Sequence, residues 1–119
     1  LDLDRARAMV DEVHPDVVLL PSPNNPTGTA LPPEAVGLLC EAAGEGLVVV
    51  DEAYGEFRRA GVPSALELLP THRNLVVTRT MSKAFGVVGG IVAGDKVIVE
   101  KNPHFWAVDD LCIELVPRR

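Results

Sequence analysis

The chain has 119 residues, of which 47% are apolar and 24% charged, and this composition is typical of one soluble globular domain. Its net charge of -6 argues against a nucleic-acid-binding surface, which needs a basic face, although an acidic protein can still hold a small anion locally. No apolar run approaches the roughly 18–20 residues of a membrane span, and the charged first residues do not resemble a secretory signal.

The first third of the chain predicts a helix, a strand and a loop. Apolar residues at helical spacing predict a helix over 2–13, which His14-Pro15 should end because a residue before proline avoids the helical region. The all-apolar run 17–20 predicts a short strand buried on both faces, as in a parallel sheet. The following segment, PSPNNPTG, is dense in turn formers and predicts a loop.

The middle of the chain repeats this order. Pro32-Pro33-Glu34 predicts a helix start, and the helix should run to about Gly44. A second buried strand is predicted over 47–51, a short helix or turn over 63–69, and a third strand over 74–78, followed by a turn over 79–83.

Alternating helices and strands predict an α/β fold with right-handed crossovers and a mainly parallel sheet. In such sheets ligands bind outside the carboxyl ends of the strands. Each predicted strand is followed directly by a polar cluster: Asn24–Gly28, Asp51–Tyr54 and Ser82-Lys83. We therefore expect these clusters to converge on one crevice.

The polar residues at these strand ends suit pyridoxal 5'-phosphate (PLP) chemistry. A lysine amine such as that of Lys83 can form a Schiff base with a carbonyl cofactor. Asp51 is placed to hold a pyridine nitrogen in its protonated form. Asn25 and Tyr54 have groups that suit a phenolic oxygen, and the Thr80 and Ser82 hydroxyls, with nearby backbone N–H groups, suit a phosphate.

Three motifs, PNNPTG, DEAYGEF and RTMSKAF, resemble successive motifs of the class I/II PLP-dependent aminotransferases. The residues of the second and third motifs are most similar to those of histidinol-phosphate aminotransferases. The resemblance covers roughly residues 1–85 and implies part of the large domain of a PLP fold-type I enzyme. It implies transamination between an amino donor such as glutamate and a 2-oxo acid, or between histidinol phosphate and imidazole acetol phosphate. Homodimers are usual in that family. The residues that the resemblance assigns to PLP are Asn25, Asp51, Tyr54, Thr80, Ser82 and the catalytic Schiff-base residue Lys83.

The sequence departs from this pattern after the third motif. The family's phosphate-clamping arginine lies eight positions after the lysine, where this chain has Ile91. The family's upstream segment and C-terminal small domain are not in the sequence. We therefore expect residues 1–85 to be a partial PLP-binding core and residues 86–119 to be a divergent tail of a truncated or frame-disrupted aminotransferase.

Three alternatives remain open at the level of sequence. The chain can be a non-catalytic remnant of an aminotransferase without independent activity. A nucleotide-binding βαβ module is a weaker hypothesis, because it would need a glycine-rich turn where Asn25–Gly28 stand. Each proposed ligand also has a structural interpretation, such as an Asx-turn for Asn25 or a helix cap for Asp51. Glu52 and Glu56 are interpreted as solvated or structural.

The cysteines and histidines predict no metal site. Cys40 and Cys112 lack metal-ligand spacing, and the three histidines are scattered. Cys40 falls on the apolar face of the second predicted helix, where a buried thiol is expected. Because nothing demands an oxidising compartment, we expect a cytoplasmic protein.

Overall fold

The computed structural model describes residues 1–95, residue 98 and the strand segments 107–108 and 111–115. The first helix, α1, spans Leu3–Val13 and begins at Asp2, whose carboxylate accepts a hydrogen bond from the backbone N–H of Arg5 at 3.1 Å. It ends at His14, which has a left-handed backbone (φ 48°) ahead of Pro15, as the sequence predicts.

The second helix, α2, spans Pro33–Ala43, with proline in its first turn and Gly44 at its C-cap. Its inward face carries Val36, Leu39 and Cys40, each at most 2% exposed. Burial, with a smaller effect of the Glu41 charge, raises the pKa of the Cys40 thiol to about 11, so this cysteine is a buried neutral thiol, as expected.

The described residues form six strands, which span Val17–Pro21 (β1), Leu47–Asp51 (β2), Leu75–Thr80 (β3), Gly90–Asp95 (β4), Ala107–Val108 (β5) and Leu111–Leu115 (β6). They form one sheet in the order β1-β2-β3-β4-β6-β5. Strand β1 pairs in parallel with β2 and β2 with β3, whereas β4 pairs antiparallel with β3 and β6 antiparallel with both β4 and β5. The predicted α/β fold is confirmed, and the sheet from β1 to β4 is mainly parallel.

The two faces of the parallel strands differ in burial. On one face the strands pack against both helices and a short 3₁₀ helix, Ala65–Leu68, and this face forms the core. On the other face Val17 and Leu19 are 58% and 68% exposed, so β1 is not buried on both sides as its all-apolar sequence predicts. The reason is that no helix of the described residues packs against this side of β1. The core consists of Val10, Leu20, Val36, Leu39, Cys40, Val48, Val50, Ala65, Leu75 and Val77.

Strand β3 is longer than predicted, because Arg79 and Thr80 pair with Ile91 and Gly90 of β4 instead of starting the turn. The turn begins at Met81, whose N–H donates to the carbonyl of Gly89 at 3.0 Å. The divergent tail expected over 86–119 lies partly outside the described residues, and that division of the chain stays a prediction. None of the helices in the described ranges has the length and apolar character needed to cross a bilayer.

Candidate functional site

The loops that follow β1, β2 and β3 meet at the carboxyl ends of these parallel strands. Asn25, in the first loop, donates from Nδ2 to the Tyr54 hydroxyl of the second loop at 3.2 Å. The Nζ atom of Lys83, in the third loop, lies 5.7 Å from the centroid of the Tyr54 ring, within the range of a cation–π contact. Tyr54 thus joins the predicted residues of three separate loops.

The first loop is a closed turn that presents Asn25 outward. The N–H of Gly28 donates to the carbonyl of Asn24 at 2.7 Å, and the amide side chain of Asn24 donates to the Thr27 hydroxyl at 2.8 Å. Gly28 has a φ of 69°, a conformation that side chains other than glycine rarely adopt. The amide of Asn24 therefore serves the turn, and that of Asn25 is left to reach Tyr54.

Asp51 ends β2 directly opposite Thr78 of β3. Its Oδ1 accepts hydrogen bonds from the N–H of Ala53 at 3.0 Å and from the Thr78 hydroxyl at 3.3 Å. The carboxylate is therefore held at the strand end by both neighbouring segments. Within the described residues these bonds join Asp51 to Ala53 and Thr78, not to Asn25, Tyr54 or Lys83.

Thr80 and Ser82 form a hydroxyl pair at the end of β3. Their oxygens lie 2.8 Å apart, and the N–H of Ser82 also donates to the Thr80 hydroxyl at 3.2 Å. Because side chains alternate along a strand, Thr80 lies on the same face as Thr78 and Asp51. The two predicted phosphate hydroxyls are thus adjacent to each other and share the open face with Asp51.

A cavity of about 180 Å³ borders Asn25 and Tyr54, and its remaining walls come from the first loop and from Phe57. The Tyr54 and Phe57 rings contact each other with centroids 6.3 Å apart. Ile91, at the position of the family's phosphate arginine, lies half-buried in β4 opposite Arg79. Among the described residues, no cluster of three His, Cys, Asp or Glu side chains could hold a metal ion.

Behind this site lies a buried charge network that the sequence interpretation missed. Glu52, interpreted as solvated or structural, is 2% exposed and therefore not solvated. Its Oε2 accepts from Arg58 at 2.9 Å and from both Nε and Nη2 of Arg79, at 3.1 and 2.7 Å. Its Oε1 accepts from the N–H of Ala65 at 2.7 Å, and Ser64 donates to the same carboxylate. The sequence could have indicated this burial, because side chains alternate along a strand and an Asp51 on the open face places Glu52 on the covered face.

The Glu52 carboxylate is ionised because its hydrogen bonds outweigh its burial. Burial alone raises the pKa of Glu52, but hydrogen bonds from Ser64, Ala65 and Arg79 and the charge of Arg58 lower it below the usual 4.5. Arg79 also donates from Nη1 to Glu56 at 3.3 Å. Two arginines and two glutamates therefore balance in charge beside the site.

Comparison with known proteins places the chain in a family. The family described as aminotransferase class I and II matches residues 1–106. Because this match covers most of the sequence, the chain belongs to the class I and II aminotransferase family. The resemblance carried by the three sequence motifs is confirmed.

Individual relatives are similar over a limited part of their own length. The chain is 63% identical over 92 residues to the histidinol-phosphate aminotransferase of Frankia casuarinae, covering 72% of this chain and 23% of the relative. It is 55% identical over 103 residues to the histidinol-phosphate aminotransferase of Thermobifida fusca, covering 84% and 28%. The chain thus spans about a quarter of the curated relatives that it matches.

A solved structure agrees with this likeness. The histidinol-phosphate aminotransferase from Sinorhizobium meliloti, in complex with pyridoxal-5'-phosphate, superposes with a TM-score of 0.62 at 27% identity. The match covers 96% of this chain and 26% of that structure. The described fold is therefore similar to one part of a larger enzyme.

Proposed function

We propose that this chain carries the PLP-binding core of an aminotransferase and that Lys83 is its cofactor lysine. The observation that carries the proposal is the meeting of Asn25, Tyr54 and Lys83, which come from three loops at one edge of a parallel sheet. A lysine amine over the ring of a tyrosine, whose hydroxyl accepts from an amide, belongs to a set of groups suited to a carbonyl cofactor with a neighbouring phenolic oxygen.

The chemistry of the donor set fits PLP. Asp51, held at the end of β2, offers a carboxylate to accept the ring N–H. Tyr54 and Asn25 offer donors for the phenolic oxygen. Thr80 and Ser82 offer hydroxyls for the phosphate, without an arginine at position 91 to add a charge. These residues are proposed as the ligands of the cofactor.

When bound, PLP supplies an electron sink for the bonds around the α-carbon of an amino acid. Asp51 would hold the ring nitrogen in its protonated form through a charge-assisted hydrogen bond. Lys83 would bind the cofactor through its Nζ, and the same atom would move a proton to and from the substrate α-carbon. Asn25 donates to the Tyr54 hydroxyl, and the Lys83 amine lies 5.7 Å from the centroid of the same ring.

For the substrates we propose the pair histidinol phosphate and imidazole acetol phosphate, with an amino acid and its 2-oxo acid as the other pair. The support is the name shared by the relatives at 63% and 55% identity. A homodimer, which is usual in the family, and a cytoplasmic location are proposed as well. They remain proposals because the chain spans about a quarter of those proteins.

The test uses the full chain mixed with PLP, reduced with borohydride and analysed by peptide mass spectrometry. The chain has two other lysines, Lys96 and Lys101, which serve as internal references for non-selective reaction. We expect the reduced cofactor mainly on Lys83, because of its neighbours Tyr54 and Asn25. Lys83→Ala should leave only the background on the other two. Equal labelling of all three lysines would contradict the proposal.

A second candidate, a non-catalytic aminotransferase remnant that does not hold PLP tightly, is favoured by Ile91. An isoleucine cannot donate a hydrogen bond or a charge to a phosphate, so only neutral hydroxyls of the described site face that group. Labelling of Lys83 that fails to saturate with PLP would support this candidate over the aminotransferase, provided that glutamate releases no 2-oxo acid and histidinol phosphate releases no imidazole acetol phosphate.

A further inference from the structure

The buried charge network lies directly behind the proposed cofactor site and is connected to it by the backbone. Glu52 follows Asp51, and Arg79 stands between Thr78 and Thr80. Side chains alternate along both strand ends, so Asp51, Thr78 and Thr80 lie on the open face and Glu52 and Arg79 on the covered one. Each member of the ion pair therefore adjoins a member of the site.

The geometry of the contact between Glu52 and Arg79 is that of a strong, charge-assisted interaction. Two nitrogens of Arg79, Nε at 3.1 Å and Nη2 at 2.7 Å, donate to the same carboxylate oxygen of a residue that is 2% exposed. Charge-assisted bonds of this kind are about twice as strong as neutral ones, and they fix direction as well as distance. Arg79 Nη2 also donates to the Ser64 hydroxyl at 3.0 Å, which sets the plane of the guanidinium.

The same carboxylate binds the turn that carries Tyr54. Glu52 accepts from Arg58, and Gly55 is packed so closely behind it that an added Cβ would lie 3.3 Å from the Glu52 Cβ. Tyr54 lies between these residues, and Lys83 is four residues beyond Arg79. The ion pair thus connects the segment of Tyr54 to the segment of Lys83.

We infer that Glu52 and Arg79 are positioning residues, which hold the Lys83 turn against Tyr54 so that the amine faces the cofactor site. This inference rests on the proposed function, because it assumes that Lys83 binds the cofactor. The contact between Lys83 and Tyr54 is present without a cofactor. Lys83 itself is exposed, and the 5.7 Å contact to the Tyr54 ring is what the pair maintains.

The variant Arg79→Gln removes the charge and the two-nitrogen contact, and Arg79→Lys keeps the charge alone. The matched control is Arg73→Gln, which removes the ion pair between Arg73 and Asp95 (2.9 Å) at the opposite end of β3 and β4. Arg73 is 82% exposed, so its loss should cost little stability. Thermal unfolding followed by circular dichroism is used to choose a temperature at which every variant is folded.

Two measurements are made on the full-length variants. The first is the nuclear Overhauser contact between the Lys83 side chain and Tyr54, the one tyrosine of the sequence, without cofactor. The second is the selectivity of PLP labelling for Lys83 over Lys96 and Lys101. We expect Arg79→Gln to lose the contact and to lower the selectivity by about tenfold, the effect of one charged hydrogen bond. Arg79→Lys should be intermediate, and Arg73→Gln should match the parent chain.

The outcomes separate the two claims. If folded Arg79→Gln keeps both the contact and the selectivity, the positioning role is wrong and the proposed function stands. If Arg79→Gln does not fold, an unchanged Arg79→Lys overturns the role in the same way. If the parent chain shows the contact between Lys83 and Tyr54 but no selective labelling of Lys83, the proposed function is wrong. In that case, loss of the same contact in Arg79→Gln would still support the positioning role. A parent chain without the contact refutes that role.

Discussion

At the scale of single residues, two adjacent acids at the end of β2 have opposite environments. Asp51 lies half-buried on the open face with a hydroxyl and a backbone N–H as donors, and Glu52 is enclosed by two arginines, a serine and a backbone N–H. A carboxylate in the second environment is stable only while its partners remain, because an unpaired charge in the interior is costly.

Glu52→Gln should therefore lower stability and change its dependence on pH. At pH 7 we expect a loss of about 3 kcal/mol, since two half-buried arginines lose their shared buried partner. The pKa of Glu52 is lowered in the folded chain, so its stabilisation is present above the usual value of 4.5 and is lost as pH falls through the folded value.

Urea unfolding from pH 7 to pH 3 measures this effect. The parent chain should lose stability below about pH 4.5, and Glu52→Gln should decline less steeply over the same range. Glu67→Gln is the matched control, because Glu67 is exposed and the same substitution there should change little. Parallel curves for the parent chain and Glu52→Gln would contradict the assignment.

The residue scale also separates what the sequence could and could not predict about the site. Asn25, Asp51, Tyr54 and Lys83 could be named because polar residues directly after apolar runs are conspicuous. Strand alternation could have placed Glu52 and Arg79 on the covered face, but it could not predict their contacts, because a charged residue is exposed by default and Arg58 and Ser64 come from a separate segment. Tertiary contacts of this kind leave no periodic pattern in the sequence.

At the scale of elements, Asn74 connects three segments ahead of β3. Its Nδ2 lies 2.9, 3.1 and 3.0 Å from the carbonyl oxygens of Cys40, Gly44 and Gly46, so one amide serves the end of α2 and the start of β2. The same turn is packed closely, since a Cβ on Gly46 would lie 2.4 Å from the carbonyl oxygen of Pro15.

Asn74→Ala should therefore destabilise the chain by about 1–3 kcal/mol, because buried carbonyls lose their donor. Asn74→Asp should be worse at pH 7, since a carboxylate would face three carbonyl oxygens instead of donating to them. Urea unfolding of the two variants decides the matter. An aspartate variant as stable as the alanine variant would show that the amide is not the donor.

Element boundaries were predictable where local chemistry sets them. The ends of α1 and α2 follow from His14-Pro15 and from Pro33 and Gly44. Strand β2 matches its predicted range because four consecutive apolar residues precede Asp51 at its end. Strand β3 exceeds its prediction because Arg79 is held in the sheet by β4 and by Glu52, and the glycine-rich sequence of β4 carries no strong strand signal.

At the scale of the whole molecule, the parallel strands are covered by helices on one side. Leu19 and Leu20 are neighbours in β1, yet Leu19 is 68% exposed and Leu20 is 8% exposed. Such parallel sheets usually carry helices on both faces. The open face is also the one that carries Asp51, Thr78 and Thr80.

The paired variants Leu19→Ala and Leu20→Ala test this difference between the faces. Leu20→Ala should cost about 2–5 kcal/mol because it leaves a cavity in the core, and Leu19→Ala should stay within about 0.5 kcal/mol. Urea unfolding at two protein concentrations provides both values. Similar losses for the two variants, dependent on concentration, would mean that a second copy covers the open face in solution.

Because side chains alternate between the two faces at the end of β2, the chain should tolerate substitutions in this strand better than insertions or deletions of one residue. A one-residue deletion within Leu47–Val50 would shift the register and exchange the faces of the two acids, since the side-chain period of a strand is two. Asp51 would then take the place of Val50 on the covered face, opposite Val77 and away from Arg79, and Glu52 would take the place of Asp51 on the open face. Conservative substitutions in these four positions should be accepted, whereas insertions or deletions of a single codon should remove the site and the charge network together.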